Sequence, residues 1–141
     1  MGGRLSSLDR VSKSPQSSRV LTFSTAAEWK THFDSNKESD QLMVIDFFAT
    51  WCGPCNYMLP IFNDFAERYK DVQFIRIDVD LFKEVAQEYQ VEAMPTFVLI
   101  KKGKPIDRFF TAQLDASVLF HSQEVEHRVD HKGTCTKDNK E

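Results

Sequence analysis

At 141 residues with a formal net charge of −3, the chain is sized for one domain and carries no bulk basic charge that would draw nucleic acid. Hydrophobic residues make up 41% of it, with 12 Phe, enough for a packed core. No stretch approaches the roughly 18 apolar residues of a membrane helix. The N-terminus lacks the apolar run of a secretory signal, which points to the cytoplasm. Three cysteines, two of them in one motif, do not make a disulfide framework.

In chain order, residues 1–19 form a serine-rich leader with a small basic excess (Arg4, Arg10, Lys13 and Arg19 against Asp9). Val20 to Phe23 reads as a short strand. Thr25-Ala26-Ala27-Glu28 carries the capping-box pattern, so a helix is expected from Ala26 to about Asn36. A polar loop follows from Asp34 to Asp40. Leu42-Met43-Val44-Ile45-Asp46-Phe47-Phe48 is a nearly continuous apolar run, the pattern of a buried strand. Met58, Phe62, Phe65 and Tyr69 recur at helical spacing, with Pro60 expected to kink that helix. Val72 to Val79 alternates as a strand. Leu81, Val85 and Tyr89 share a helix face. Thr96 to Ile100 is a strand, Lys101 to Lys104 a turn at Gly103, and Ile106 to Phe110 an edge strand after Pro105. Leu114, Val118, Val125 and Val129 suggest a last helix, and the chain beyond Gly133 is polar. The reading is an α/β domain over residues 20–130, divergent after 110, with a polar tail over 131–141. Its sheet combines parallel βαβ units and an antiparallel hairpin.

Trp51-Cys52-Gly53-Pro54-Cys55 sits between the Leu42 strand and the helix that follows. A cysteine pair at that junction has Cys52 at the helix N-terminus, where backbone N–H groups and the helix dipole stabilise a thiolate. The thiolate is the nucleophile of thiol–disulfide exchange. The alternatives are half of a metal site or two inert thiols. A structural zinc needs four ligands, and no second Cys-x-x-Cys exists, so a redox pair is the preferred reading. Cys52, expected to be the more exposed sulfur, is the attacking thiol. Cys55, within the first turn, resolves the mixed disulfide.

The motif resembles the thioredoxin active site residue for residue, and the resemblance covers roughly Val20 to Phe110. Asp46 before the motif, Pro60 after it and Met94-Pro95-Thr96 further on stand where thioredoxins carry Asp, Pro and a cis-proline. Met1-Gly2-Gly3 on a leader and Phe48-Ala49-Thr50 resemble the plant h-type branch. The resemblance implies the thioredoxin fold, a central mixed β-sheet flanked by helices. It also implies a cofactor-free protein disulfide reductase, with Gly53-Pro54 a reductant's dipeptide. Its partners would be disulfide-containing target proteins, with thioredoxin reductase or a glutaredoxin system as the source of electrons.

Asp46 is the one acidic residue of its strand. It reads as a proton acceptor for Cys55 or, alternatively, as a strand-end carboxylate that reaches solvent. A cis Met94–Pro95 bond, implied by the resemblance, would turn the Met94 and Thr96 backbone toward the cysteines to pair with an extended substrate. Trp51 reads as an apolar platform beside the site, or as partial core. Arg76 falls where many thioredoxins have Lys near the buried Asp, or is a surface charge.

Gly2-Gly3-Arg4-Leu5-Ser6 fits the myristoylation signal. With no cysteine in the leader for a second acyl chain, Gly2 lipidation would give only weak, reversible membrane association. His127, His131 and Cys135 recur every four residues, but Gly133 interrupts the face and no metal site is read there. Cys135 reads as an exposed free thiol. The thioredoxin pattern breaks after Phe110, where Thr111 replaces a glycine and would crowd the substrate groove. Two rivals to the reductase remain. A non-catalytic adaptor using the same groove is opposed by the intact cysteine pair. A secretory oxidase or isomerase is opposed by the Gly-Pro pair and the missing signal.

Overall fold

The computed structural model describes residues 19–110 and 135–136. Its elements are β1 (Val20–Leu21), α1 (Ala26–Asn36), β2 (Met43–Phe48), α2 (Gly53–Arg68), β3 (Gln73–Asp78), α3 (Lys83–Glu88), β4 (Ala93–Met94), β5 (Thr96–Lys101), β6 (Lys104–Phe110) and β7 (Cys135–Thr136). Five strands form one sheet in the order β1-β3-β2-β5-β6. β1 and β2 run parallel to β3, whereas β5 is antiparallel to both β2 and β6. The mixed sheet expected from the sequence is therefore present. The suggested helix after Leu114, Thr111, Gly2, His127 and His131 lie outside the described residues.

Alternation along β2 divides the core. Met43, Ile45 and Phe47 join Trp29 of α1 and Val85 of α3 on one face of the sheet. Val44 joins Met58, Phe62 and Phe65 of α2 on the other, with Phe74, Phe97 and Leu99. β2 is central and covered on both faces, which is why its sequence lacks the polar alternation of a one-sided strand.

The local chemistry matches the elements. Thr25 caps α1, its side chain accepting from the Glu28 N–H, while Glu28 accepts from the Ser24 N–H one residue before the cap. α2 runs through Pro60 without ending, from Gly53 to Arg68. β5 and β6 are joined by Lys102 and Gly103, both at positive φ (51° and 76°), as a tight hairpin requires. Pro105 lies within β6, at the sheet edge, where a missing N–H is tolerated.

Two elements differ from expectation. Leu81 precedes α3 and is 77% exposed; buried Phe82 takes the core position instead. The helical face counted from Leu81 starts too early because the Asp78 carboxylate accepts from the Asp80 and Leu81 N–H groups, holding the chain in a turn. The second difference is β7. It pairs antiparallel with β4, Ala93 opposite Thr136 and Met94 opposite Cys135. A two-residue strand is too short for periodicity to reveal, so the tail showed only its polarity.

Candidate active site

Cys52 is the N-cap of α2, in extended conformation, with Gly53 and Pro54 opening the helix. Its Sγ accepts from the Cys55 N–H at 3.2 Å. This is the N-cap interaction made with sulfur. As a thiolate, Cys52 would gain a charge-assisted bond and the favourable end of the helix dipole. Its Sγ also lies 3.4 Å from the Met94 carbonyl, toward which the thiol donates. Cys52 and Cys55 are in the dithiol form, and both are buried, Cys52 at 0% exposure and Cys55 at 1%. The expectation that Cys52 is the more exposed sulfur is therefore not met. The capping bond turns Sγ inward along the helix start, and the Met94 segment closes over it. Cys55 packs in the same core cluster. Burial, then its hydrogen-bonded neighbour Cys52, push the Cys55 thiol well above the ordinary thiol range, and the Asp46 charge adds to the rise.

Met94–Pro95 is cis, as the resemblance implied. Met94 and Thr96 are buried on either side of it, and the Thr96 hydroxyl donates to the Ala93 carbonyl. The chain enters this segment from the end of α3, where Gln90 adopts positive φ and the Val91 N–H bonds the Ala86 carbonyl. That helix ending aims β4 at the cysteines. A Cβ built at Gly53 would meet nothing within 4 Å.

Asp46 is 1% exposed, which excludes the reading of a carboxylate reaching solvent. Its register partner on β3 is Arg76, whose Nε donates to Asp46 Oδ2 at 3.1 Å. The Arg76 guanidinium also stacks 3.6 Å from the centre of the Phe48 ring, two residues along β2 from Asp46. The side chain of Arg76 is only 9% exposed, so it is not a surface charge. Burial pushes the Asp46 carboxyl up to about 6, against the opposing pull of Arg76. Asp46 Oδ1 has no partner among the described residues, which leaves one oxygen able to receive a proton.

Trp51 is half-buried and packs on the core at the edge of the site. The partial-core reading holds. Its Nε1 donates to Asp80 Oδ2 at 2.9 Å, a partner the sequence reading missed. Nothing in the sequence around Asp80 signals a tryptophan tether.

The strand-to-helix junction thus carries a capped thiol, with a second thiol one turn on and a cis-proline segment across from them. The Thioredoxin family model matches residues 21–122. Thioredoxin H2 of Arabidopsis thaliana is 46% identical over 122 residues, covering 82% of this chain and 92% of that protein. Thioredoxin H2-2 of Oryza sativa subsp. japonica is 48% identical over 99 residues, covering 70% and 74%. The crystal structure of thioredoxin NaTrxh from Nicotiana alata aligns with a TM-score of 0.73 at 44% identity, over 81% of this chain and 99% of that one.

The chain belongs to the thioredoxin family. Its similarity is to the plant h type, and it is a thiol–disulfide oxidoreductase, acting in the reduction of protein disulfides.

Proposed function

We propose that Cys52 and Cys55 of the Cys-Gly-Pro-Cys motif carry the reaction, with Asp46 as proton acceptor and the Met94–Thr96 segment as the receiving edge for substrate. The observation that carries this is the position of Cys52 Sγ, held between the Cys55 N–H and the Met94 carbonyl. Cys52 thiolate attacks a target disulfide, forming a mixed disulfide and releasing the target's other sulfur as thiolate. Cys55 then gives up its proton and attacks Cys52 Sγ. The target leaves reduced, and the Cys52–Cys55 disulfide remains.

The second step is the hard one, because burial opposes a Cys55 thiolate. A carboxylate whose own affinity for protons is raised by the same burial, with one free oxygen, narrows that gap. Trp51, held by Asp80, forms the apolar wall beside the site. Gly53 and Pro54 fix the short turn between the sulfurs. The exchange uses no cofactor. The disulfide is reopened by thioredoxin reductase or a glutaredoxin system.

The catalytic unit spans residues 20–130 and works in the cytoplasm, with residues 1–19 as leader and 131–141 as tail. Myristoylation at Gly2 adds a weak, reversible hold on membranes. Among the described residues no helix is long and apolar enough to cross one. Fractionation of cells expressing the full chain and Gly2→Ala tests the last point: equal distribution of the two forms sinks it. The central experiment is reduction of insulin disulfides driven by dithiothreitol, comparing the full chain with Cys52→Ser. Equal rates would remove Cys52 from the chemistry and favour a binding module.

A further inference from the structure

Extended substrates need an unpaired strand edge to pair with. The edge nearest Cys52 is β4, since Met94 supplies the carbonyl 3.4 Å from Cys52 Sγ. That edge is occupied. β7 lies antiparallel on it, with Cys135 in register with Met94 and Thr136 with Ala93. We infer that residues 135–136 are an internal occupant of the edge that receives target disulfides, with Cys135 standing where a target cysteine would stand. The inference rests on the proposed role of Met94–Thr96 as the receiving edge.

Three observations carry it. The pairing is with β4 alone, outside the five-stranded sheet, so β7 contributes nothing to the main sheet's hydrogen bonding. The register sets the chain's only cysteine outside the active-site motif opposite the residue that Cys52 touches. Beneath the Met94 segment that β7 pairs with, the attacking thiol is closed to solvent at 0% exposure. A nucleophile for protein disulfides must meet a partner's sulfur, so the structure is of an occluded state. Residues 111–134 connect β6 to β7. A segment on the same chain competes with outside substrate at an effective concentration on the order of millimolar.

The chemistry balances without an outside oxidant. After one turnover the site holds the Cys52–Cys55 disulfide. Cys135 thiolate attacks Cys52 Sγ; the Cys52–Cys135 bond forms as the Cys52–Cys55 bond breaks. The electron pair passes to Cys55, which takes up a proton. Nothing is oxidised or reduced overall, and Cys55 reverses the step by attacking Cys52 again. When Cys55 is absent, Cys135 is the thiol able to resolve a mixed disulfide on Cys52.

Two variants of the full chain test this. Thr136→Pro removes a backbone N–H from β7, and Cys135→Ser keeps the strand but removes the thiol. Occupancy reduces the competent fraction, so a strand seated nine-tenths of the time raises the apparent KM about tenfold. Thr136→Pro is therefore expected to lower KM for insulin severalfold and to speed iodoacetamide alkylation of Cys52 by a similar factor. In a Cys55→Ser background, oxidised glutathione should place glutathione on Cys52, and Cys135 should then displace it as thiolate. Peptide mapping should show a Cys52–Cys135 disulfide within a monomer, absent from the Cys55→Ser, Cys135→Ser double variant.

Unchanged KM and alkylation in Thr136→Pro, together with a Cys52 that stays glutathionylated, would overturn the inference and leave the reductase reading standing. If neither the full chain nor Thr136→Pro reduces insulin, the reductase reading itself fails, and the inference falls with it.

Discussion

The two halves of the sheet do different work. The parallel half, β1-β3-β2, is built to hold charge and sulfur. β2 ends at the motif, its Asp46 pairs across to Arg76 on β3, and both faces are sealed. The antiparallel half, β5 and β6 with the short β4 before them, holds no ion pair against the thiols among the described residues. What it gives the site is backbone: the Met94 carbonyl and the edge of β4. In the proposed mechanism, side chains on the first half set reactivity, and backbone on the second sets which chain can approach. Substitutions in the parallel half should thus change rate and pH dependence. Changes around the approach surface should appear in KM.

The sharpest break comes at the thiols. Cys52→Ser is expected to reduce turnover to the rate of dithiothreitol alone. Cys55→Ser, made together with Cys135→Ser so that no second thiol remains, is expected to accumulate covalent adducts with target proteins on Cys52, because the first step survives and the second lacks its thiol. Mass spectrometry of each variant after exposure to insulin distinguishes them. Stable adducts on Cys55 in the Cys52→Ser protein, with none on Cys52 in the reciprocal variant, would reverse the roles.

Asp46→Asn should be next in size. Loss of a proton acceptor is expected to slow turnover on the order of tenfold to a hundredfold. It should also change how stability depends on pH. The Asp46 carboxyl rises from 3.8 in the unfolded chain to about 6 in the folded protein, so folding takes up a proton between those values. The stability tied to that proton is complete below 3.8 and lost as pH rises through about 6, a span of about 3 kcal/mol. Urea unfolding between pH 4 and 7 should show this decline in the native chain and lack it in Asp46→Asn. Identical slopes would mean that Asp46 stays ionised throughout.

How legible all this was in the sequence depends on what kind of interaction was at stake. The start of α1 was legible to the residue because it is written in capping chemistry at Thr25 and Glu28. β2 was legible because burial on both faces leaves an apolar run. The cysteines were legible as a pair, but their relative exposure was not. Exposure depends on the Met94 segment, about forty residues on, folding back over Cys52. Arg76 could be placed near Asp46 only through the family resemblance. Its stacking on Phe48 depends on strand register, which a period of two does not give between separate strands. β7 is the extreme case: two residues, Cys135 and Thr136, recognisable as a strand only by their pairing with β4.

Arg76→Leu sharpens the account of the buried pair. Arg76 opposes the upward push of burial on Asp46. Without it, the Asp46 carboxyl should titrate higher than about 6, and the acid limb of the pH–rate profile should move upward. Stability at pH 7 should fall by about 3 kcal/mol, since the partner left behind is a buried charge. An unmoved acid limb would show that Asp46 is not the group that limits the rate.

Asp80→Ala should have the smallest effect, and it tests the boundary between the halves. Asp80 follows β3, yet its carboxylate acts on Trp51 beside the thiols. Removing it deletes a charge-assisted hydrogen bond, worth about 1.5 kcal/mol where it is partly open to water. Trp51 would keep its apolar packing but lose the constraint on its indole edge. A wall that moves changes how well a protein substrate fits and leaves the sulfur chemistry alone. KM for insulin should rise roughly two- to fivefold with kcat little changed, and a small disulfide should react at the native rate. Asp80→Asn keeps an acceptor oxygen and should recover most of the loss. Fluorescence gives a readout separate from activity, because the other tryptophan, Trp29, is buried in the core and should not respond. Emission from Trp51 should shift to longer wavelength in Asp80→Ala but not in Asp80→Asn. A kcat that falls with KM unchanged would place Asp80 with the groups that govern reactivity, and the division between the two halves would not hold at this corner.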